Sequence, residues 1–335
     1  MKFTTKIAAS SLALAALAGG AFAEDCGDVT IAEMNWASAS LLANVDAIIL
    51  EEGYDCDVEL IGGDTTPTFT SMNEKGEPDL APELWVNAVR EPLYAAIEEG
   101  RMLSAIEGPI TGLGEGWWVT KKFMEDHPEI DTVEKMLEHP ELVPYIEDED
   151  KGAFMGCPAG WGCQLANENM FRAFDMEEKG WVLVDPGSAA GLDGSIAKAV
   201  ERDEPWFGYY WAPTAVIGKY DLQMLPFEAE WGGTENWDGC IVKSADECAD
   251  PQPSSWTASE VHSVVTAEFA EENAVAMGYL AKRVVPGDVV NAMLVYMNDN
   301  QATGEDAAYE FLATQEDVWT QWVPEDVAEK VKDAL

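Results

Sequence analysis

Two cysteines six positions apart, Cys157 and Cys163, enclose the segment Cys-Pro-Ala-Gly-Trp-Gly-Cys. A disulfide between them would close a small ring, which would fix the enclosed Trp161 and leave backbone N–H groups free beside it. A fixed indole next to free backbone donors is typical of a binding site. Trp161 is one of 13 tryptophans in the chain, many of which stand next to Gly or Pro, so these side chains are not confined to apolar runs.

The first 23 residues have the three parts of a secretory signal peptide. A basic start with Lys2 and Lys6 leads into an apolar run over 7–17, and the segment ends at Ala21-Phe-Ala23. This arrangement predicts cleavage after Ala23. The apolar run is too short to span a bilayer. We therefore expect an exported protein, most simply a periplasmic one.

The chain is strongly acidic, with a formal net charge of −44, and removal of two signal-peptide lysines makes it −46. Such a charge repels nucleic acid and anionic membranes, which excludes both as partners. Hydrophobic residues make up 47% of the chain, enough for folded cores rather than disorder. The mature length of about 310 residues exceeds one typical core and predicts two lobes.

All six cysteines follow the predicted cleavage site, and export places them in an oxidising compartment. Six cysteines allow fifteen pairings, so the sequence alone does not fix their connectivity. Proximity favours Cys157–Cys163 and Cys240–Cys248, which leaves Cys26–Cys56. A metal site is disfavoured, because there is no Cys-x-x-Cys pair and the three histidines, His127, His139 and His262, are scattered.

Extended and helical segments alternate along the chain, which predicts an α/β fold with a parallel sheet. Strands are predicted at 28–33, 56–61 and just before Trp85, with a helix over 38–50. We interpret the Gly-rich segment at 112–118 as the crossover between lobes. The predicted first lobe comprises 24–116 and 225–335, with a disulfide-stapled insertion at about 228–256, and the second lobe comprises 117–224.

Three tryptophans, Trp85, Trp161 and Trp211, stand at or just after predicted strand ends, where open α/β sheets place ligand sites. Core packing is the competing interpretation for any one of them. It is the one that we adopt for Trp181, Trp319 and Trp322, and packing of the insertion is expected for Trp231, Trp237 and Trp256. Indole faces in a cleft attract methylated ammonium groups, because the ring face is electron-rich and the methyls bury apolar area.

Other functions have weaker support. No Gly-x-Ser-x-Gly elbow or evident catalytic triad is present. The chain has 63 acidic residues, so a pair of carboxylates is not evidence for glycoside hydrolysis. A secreted enzyme acting on a methylated amine would need a nucleophile, redox cofactor or metal, and no motif predicts one; we expect no enzyme and no cofactor. The acidic run 147–150 lacks the calcium-loop pattern, which favours a solvated face over Ca²⁺. An aromatic-rich carbohydrate-binding protein is the other alternative, but strand–helix alternation disfavours the usual β-sandwich.

Four motifs in order carry a family resemblance: Pro82-Glu-Leu-Trp85, the cysteine ring, Tyr209-Tyr-Trp-Ala-Pro213 and Trp319-x-x-Trp322. With them, nearly the whole mature chain resembles the substrate-binding proteins of ABC importers for glycine betaine, choline and related osmolytes. The resemblance implies a two-lobed periplasmic-binding-protein fold, type II-like, whose lobes close on ligand in the cleft. It also implies a small methylated amine and an inner-membrane ABC permease as partners of a monomer.

The resemblance further implies which residues bind the ligand. Carried over by position, Trp85, Trp161 and Trp211 would be the walls of an ammonium cage. The backbone N–H groups of Gly162 and Cys163 would face the negative end of the ligand.

Three further candidates are Trp36 and Trp118, at the cleft edge, and Glu115, which would supply a polar contact or a gate. In the betaine branch of the family a histidine one turn beyond the first cage tryptophan helps to hold the carboxylate, and here that position is Val89. The departure disfavours a carboxylate ligand such as glycine betaine. A ligand with a smaller negative end, trimethylamine N-oxide, or with none, choline, is favoured, with a slight preference for the N-oxide.

Overall fold

The computed structural model describes residues 26–335, so the predicted signal peptide and its cleavage site lie outside the described residues. Within this range the chain is a mixed α/β protein with two sheets, which confirms the predicted fold class. The strands are β1 (Asp28–Met34), β2 (Asp57–Gly63), β3 (Leu80–Trp85), β4 (Met102–Glu107), β5 (Gly114–Thr120), β6 (Pro144–Tyr145), β7 (Asp148–Met155), β8 (Trp181–Val184), β9 (Phe207–Ala212), β10 (Leu222–Met224) and β11 (Val261–Thr266).

Helices connect and cover these strands. The α-helices are α1 (Ala37–Ile48), α2 (Thr65–Lys75), α3 (Arg90–Glu98), α4 (Lys121–Asp126), α5 (Val133–Leu137), α6 (Gly162–Ala173), α7 (Ala189–Glu201), α8 (Ala215–Lys219), α9 (Gly233–Asn236), α10 (Ala267–Glu272), α11 (Ala274–Leu280), α12 (Gly287–Asn300), α13 (Gly304–Thr314), α14 (Glu316–Trp319) and α15 (Glu325–Ala334). Short 3₁₀ turns follow β3 at Val86–Ala88 and precede β6 at Pro140–Leu142, and π-turns occur at Ile49–Gly53 and Trp237–Ile241. No helix of the described residues is both long and apolar enough to cross a membrane.

The first sheet has the strand order β2-β1-β3-β11-β4. Strand β1 pairs in parallel with β2 and β3, as the strand–helix–strand pattern predicts. Strand β11 was not predicted, because the segment after residue 257 reads as helical; it lies antiparallel between β3 and β4. The carboxyl ends of β1 and β3 lead to Trp36 and Trp85, the first two aromatic residues of the site described below.

The second sheet has the strand order β10-β5-β9-β7-β6, with β8 paired to β7. It begins inside the segment interpreted as a crossover, since β5 starts at Gly114 and pairs antiparallel with β9. The aromatic segment that ends near Trp211 forms β9, whose first five residues are buried. Strands β5 and β9 therefore bring Glu115 and Trp211 opposite each other at one end of this sheet.

All three predicted disulfides are present: Cys26–Cys56, Cys157–Cys163 and Cys240–Cys248. The tryptophans assigned to cores, Trp181, Trp319 and Trp322, are buried as predicted. The indole N–H of Trp181 donates a hydrogen bond to the carbonyl oxygen of Leu137, and that of Trp319 donates to the carbonyl oxygen of Leu312.

The disulfide-stapled segment at about 228–256, predicted as an insertion of the first lobe, contacts both sides of the molecule. Asn169 of α6 donates through Nδ2 to the carbonyl oxygens of Ile241 and Lys243, at 2.9 and 2.7 Å. On the first-sheet side, Arg90 forms an ion pair with Asp238 at 3.3 Å. The segment is thus placed across the gap between the sheets, next to the site.

Candidate functional site

A pocket lies between the two sheets, where the ends of several strands meet the start of α6. Strands β1 and β3 supply it from the first sheet, and β5 and β9 from the second. Aromatic side chains dominate its wall, and no lysine, arginine or histidine of the described residues contributes to it. The lining residues are Trp36, Thr65, Trp85, Asn87, Ala88, Glu115, Trp161, Gly162, Cys163, Ala166, Tyr209, Trp211, Trp237, Val242 and Trp256.

The indoles of the pocket stand edge to face with one another. The ring of Trp161 is 5.5 Å from that of Trp36, at 70°, and 5.0 Å from that of Trp211, at 82°. Tyr209, two positions before Trp211 on β9, stacks with it at 6.4 Å. Rings set at such angles suit the adjoining walls of a box, and the electron-rich face of an indole attracts a cation.

The disulfide ring ends where α6 begins, and Trp161 is the residue that precedes the helix. Gly162 and Cys163 therefore occupy the first turn, where backbone N–H groups have no partner within the helix. No other described residue accepts a hydrogen bond from either of them. Because the positive end of the helix dipole coincides with these donors, this part of the wall suits a negatively charged atom.

Glu83 lies behind two of the indoles and is fully buried. Its Oε1 accepts hydrogen bonds from Nε1 of Trp36 at 2.8 Å and from Nε1 of Trp85 at 2.9 Å. Ser38 donates to the same oxygen at 2.9 Å. Burial raises the pKa of the Glu83 carboxyl, and these bonds and the charge of Arg283 oppose that rise.

Glu115 contributes a carboxyl group to the pocket wall itself. Its Oε1 accepts a hydrogen bond from Tyr209 Oη at 2.8 Å, and its Oε2 accepts one from Asn87 Nδ2 at 2.6 Å. The Oδ1 of Asn87 accepts the backbone N–H of Glu260 at 3.1 Å, which leaves its Nδ2 to donate to Glu115. Burial raises the pKa of Glu115 to about 7, although the hydrogen bonds that it accepts act in the opposite direction.

Of the eight residues that the sequence predicts for the site, the structure brings seven together in the pocket wall: Trp36, Trp85, Glu115, Trp161, Gly162, Cys163 and Trp211. Trp118 is not among the lining residues, and its Nε1 donates to the carbonyl oxygen of Tyr210 at 2.9 Å. On strand β5, side chains two apart share a face, so Glu115 and Trp118 point to opposite faces. The crossover interpretation missed this, because it placed no strand there.

Several lining residues were not predicted. Tyr209 could have been found, because a residue two positions before Trp211 on a strand shares its face. Trp237 and Trp256, expected only to pack the insertion, line the pocket, and their rings are 5.3 Å apart. Asn87 reaches the site through the 3₁₀ turn after β3, which no pattern in the sequence predicts.

The position compared with a histidine of the betaine branch, Val89, is buried and does not line the pocket. His262, the one fully buried histidine of the described residues, lies on β11 against Ser104 Oγ at 2.9 Å. The pocket therefore presents mainly aromatic side chains, with backbone donors and one carboxyl group, and none of its described lining residues is basic.

The sequence matches one family model over residues 27–314, that of the substrate-binding domain of ABC-type glycine betaine transport systems. The glycine betaine/proline betaine-binding periplasmic protein of Salmonella typhimurium is 23% identical over 205 residues, which cover 59% of this chain and 59% of that protein. The chain thus spans less than two thirds of that relative. The trimethylamine N-oxide-binding protein of Pelagibacter ubique is 22% identical over 298 residues, 87% of this chain and 89% of that protein.

Solved structures show the same fold. The glycine betaine/L-proline-binding protein ProX of Borrelia burgdorferi superimposes with a TM-score of 0.70 at 17% identity, covering 91% of this chain and 99% of that one. An ABC-transporter choline-binding protein in complex with choline gives a TM-score of 0.69 at 18% identity, covering 92% and 98%. At these identities the likeness establishes the two-lobed binding-protein fold and leaves the ligand to the chemistry of the pocket.

Proposed function

The chain belongs to the family of substrate-binding domains of ABC-type glycine betaine transport systems, and from this we propose that it captures a methylated ammonium osmolyte in its indole-walled pocket and delivers it to an ABC permease. The observation that carries the proposal is the grouping of Trp36, Trp85, Trp161 and Trp211 in one wall. Transport by the family accounts for this pocket without any catalytic step.

The chemistry of the wall fits a trimethylammonium head. Each indole face that a methylated cation contacts contributes ~0.5–2 kcal/mol, and more where water is excluded. The methyl groups also bury apolar area against the same rings. An inorganic cation such as K⁺ gains less, because it gives up a hydration shell that the indole faces do not replace.

The negative end of the ligand has its own set of donors. At the positive end of α6, the N–H groups of Gly162 and Cys163 have no acceptor within residues 26–335. The Nε1 of Trp256 is also buried in the pocket wall, close to the Glu115 carboxyl but without a well-aligned hydrogen bond. These donors suit a single oxygen anion held close to the ammonium group.

Among the methylated ligands, trimethylamine N-oxide fits this arrangement best. Burial raises the pKa of Glu115 to about 7, which favours its protonated form up to neutral pH, and a protonated carboxyl donates a hydrogen bond to the N-oxide oxygen. A ligand carboxylate would approach Glu115 without the basic side chain that would compensate its charge. The relative from Pelagibacter ubique, a trimethylamine N-oxide-binding protein, supports the same choice.

Choline is the second candidate, and the same residue favours it. With Glu115 ionised, the pocket carries a negative charge beside the cage, which suits a ligand whose net charge is positive. The two candidates therefore predict opposite pH dependences. Binding of the N-oxide weakens above pH 7, and binding of choline strengthens.

Calorimetric titration at pH 6.0 and 8.5 tests the assignment with trimethylamine N-oxide, choline, glycine betaine, carnitine and dimethylsulfoniopropionate. We expect the N-oxide to bind most tightly and to lose about tenfold or more in affinity at pH 8.5, because fewer Glu115 carboxyls remain protonated. Tighter choline binding, with the reverse pH trend, would transfer the assignment to choline. Binding of none of the five ligands would contradict the function itself.

The wall assignment is tested by Trp161→Ala, which we expect to weaken binding by at least about tenfold, since one desolvated cage wall contributes ~1.4 kcal/mol or more. Trp231→Ala is the matched control, because Trp231 is half exposed and lies outside the pocket wall. Equal affinities of the two variants would contradict the cage.

We further propose that the lobes 24–116 with 225–335, and 117–224, close on the ligand, and that the mature protein is a periplasmic monomer. Closure is favoured only to the extent that the ligand contacts both lobes at once. Small-angle scattering with and without ligand tests this, since closure reduces the radius of gyration while the mass stays that of one chain.

A further inference from the structure

The cage indoles differ in what their N–H groups bind. Those of Trp36 and Trp85 both donate to Oε1 of Glu83. The N–H of Trp161 donates instead to the neutral amide oxygen of Asn35, at 2.6 Å. Trp36 and Trp85, on the side of the first sheet, are thus hydrogen-bonded to a carboxyl group, whereas Trp161, on the side of the second sheet, is hydrogen-bonded to an amide.

Burial raises the pKa of Glu83, and two features of its surroundings oppose that rise by stabilising the ionised form. Three donors converge on one oxygen, and two of them are indole N–H groups, which cannot accept a proton in return. The buried guanidinium of Arg283 acts electrostatically on the same carboxyl. Its Nη2 donates to the carbonyl oxygen of Pro82, the neighbour of Glu83, at 2.9 Å.

A carboxylate that accepts an indole N–H does two things to the ring. It fixes the orientation of the plane, because a charge-assisted hydrogen bond is short and directional. It also polarises the indole, since hydrogen bonds in a low-dielectric interior strengthen the charge separation of their partners. Electron density moves toward the ring face, which is the part that attracts a cation.

We propose that Glu83 is the positioning residue that sets the preference of the cage for charge, by holding Trp36 and Trp85 through one carboxylate oxygen and enriching their ring faces. This role rests on the proposed function, because it requires a methylated cation against those faces. Glu83 lies behind the indoles and makes no contact with the ligand itself. All the walls then select the ligand by its shape, whereas Trp36 and Trp85 are the main walls that select it by its charge.

The test compares two probes of the same shape, trimethylamine N-oxide and tert-butanol, of which only the first has a cationic nitrogen beneath its three methyl groups. In Glu83→Gln an amide oxygen still accepts the indole bonds, but the charge is lost. We expect the affinity for the N-oxide to fall about threefold to tenfold and the affinity for tert-butanol to change by less than about twofold. Ser38→Ala is the matched control, because it removes one donor from the same oxygen and leaves both indole bonds.

Equal weakening of both probes in Glu83→Gln, or no change in either, would overturn the proposal. Wild-type protein that binds no methylated ligand would instead contradict the proposed function, so the two failures are distinguishable. If Glu83→Gln does not fold, Trp36→Phe and Trp85→Phe replace it, since each keeps an aromatic wall and loses one bond to Glu83. We expect both to lose charge preference at least about twofold more than Trp211→Phe, whose indole makes no bond to Glu83; equal losses in all three would again overturn the proposal.

Discussion

Nε1 of Trp161 donates a hydrogen bond to Oδ1 of Asn35 at 2.6 Å. Trp161 belongs to the disulfide ring between β7 and α6, on the side of the second sheet, whereas Asn35 follows β1 of the first sheet. Beside this bond, the backbone N–H of Thr66 donates to the carbonyl oxygen of Gly160 at 3.4 Å. The ring that supplies part of the pocket wall is therefore also a contact between the two sides of the pocket.

Replacing Asn35 by Ala removes the acceptor of that bond without touching the indole. An intramolecular hydrogen bond contributes ~0.5–1.5 kcal/mol net, so we expect ligand affinity to fall about twofold to tenfold. Calorimetry measures the change, and Asn300→Ala, at the exposed end of α12, is the control. An Asn35→Ala variant with wild-type affinity would show that the bond does not contribute to the ligand-bound state.

Replacing Gly162 by Ala introduces a steric conflict between the lobes. An added Cβ would lie 2.6 Å from Cβ of Ala88 and 3.5 Å from Cγ2 of Thr65, so the two walls must separate. We expect ligand affinity to fall by about tenfold or more, because overpacking costs ~1–3 kcal/mol. The conflict arises only while the lobes are together, so the thermal stability of the ligand-free protein should change little.

Gly194→Ala is the matched control for Gly162→Ala. Gly194 lies in α7, and a Cβ added there meets nothing within 4 Å. Because alanine favours the helix over glycine, this control should gain ~0.5–1 kcal/mol in stability and bind ligand normally. Tight ligand binding by Gly162→Ala would contradict the contact between Gly162 and Ala88 as part of the bound state.

The Cys157–Cys163 disulfide affects both stability and the site, because it holds the first turn of α6 in place. The double variant Cys157→Ser/Cys163→Ser should lose ~2 kcal/mol of stability, the loop-entropy value for so short a ring. It should also lose ligand affinity, because the N–H groups of Gly162 and Cys163 are no longer fixed. Cys26→Ser/Cys56→Ser serves as the control, as it removes a disulfide whose cysteines do not line the pocket; an equal loss of affinity there would contradict the special role of the ring.

The parts of the fold that the sequence predicts are those with strong local patterns. The alternation over β1 and β2 and the helical spacing of α1 depend on neighbouring residues, and all three elements are present. The start of α7 also depends on near neighbours, because the Ser188 side chain caps it by accepting the backbone N–H of Gly191. Strand β11 is different, because its pairing with β3 and β4 depends on residues far away in the chain.

The same contrast between local patterns and long-range contacts applies to the residues of the site. Trp85, Trp161 and Trp211 could be predicted because each stands at a strand end or in the ring, and the family resemblance supports the same positions. Glu83 and Asn87 could not be predicted, because their roles depend on bonds across the fold, to Trp36 and to Glu115. Within a short Glu-x-Trp-x-Asn stretch, only the three-dimensional pairing distinguishes a buried acceptor from an ordinary surface carboxylate.

The buried Glu115 also makes a prediction about stability and pH. Burial raises the pKa of Glu115 from 4.5 to about 7, so the folded state binds this proton more tightly than the unfolded state does. The stability that the protonated group contributes is fully present below pH 4.5 and is lost as the pH rises through 7. At 1.36 kcal/mol per pKa unit, about 3 kcal/mol is lost across this range.

Glu115→Gln replaces the carboxyl with a group that does not titrate. The difference in unfolding free energy between variant and wild type therefore reports on Glu115 alone. Other buried acids cancel in this difference, such as Asp46, whose pKa burial raises to about 6. Urea denaturation at pH 4.5, 6.0, 7.0 and 8.0 measures it. We expect the variant to gain about 3 kcal/mol relative to wild type between the lowest and highest pH. Glu74→Gln, on the exposed part of α2, should show no such gain. A constant difference for Glu115→Gln would mean that folding does not raise the pKa of Glu115, so that the pocket presents an anion to its ligand at neutral pH.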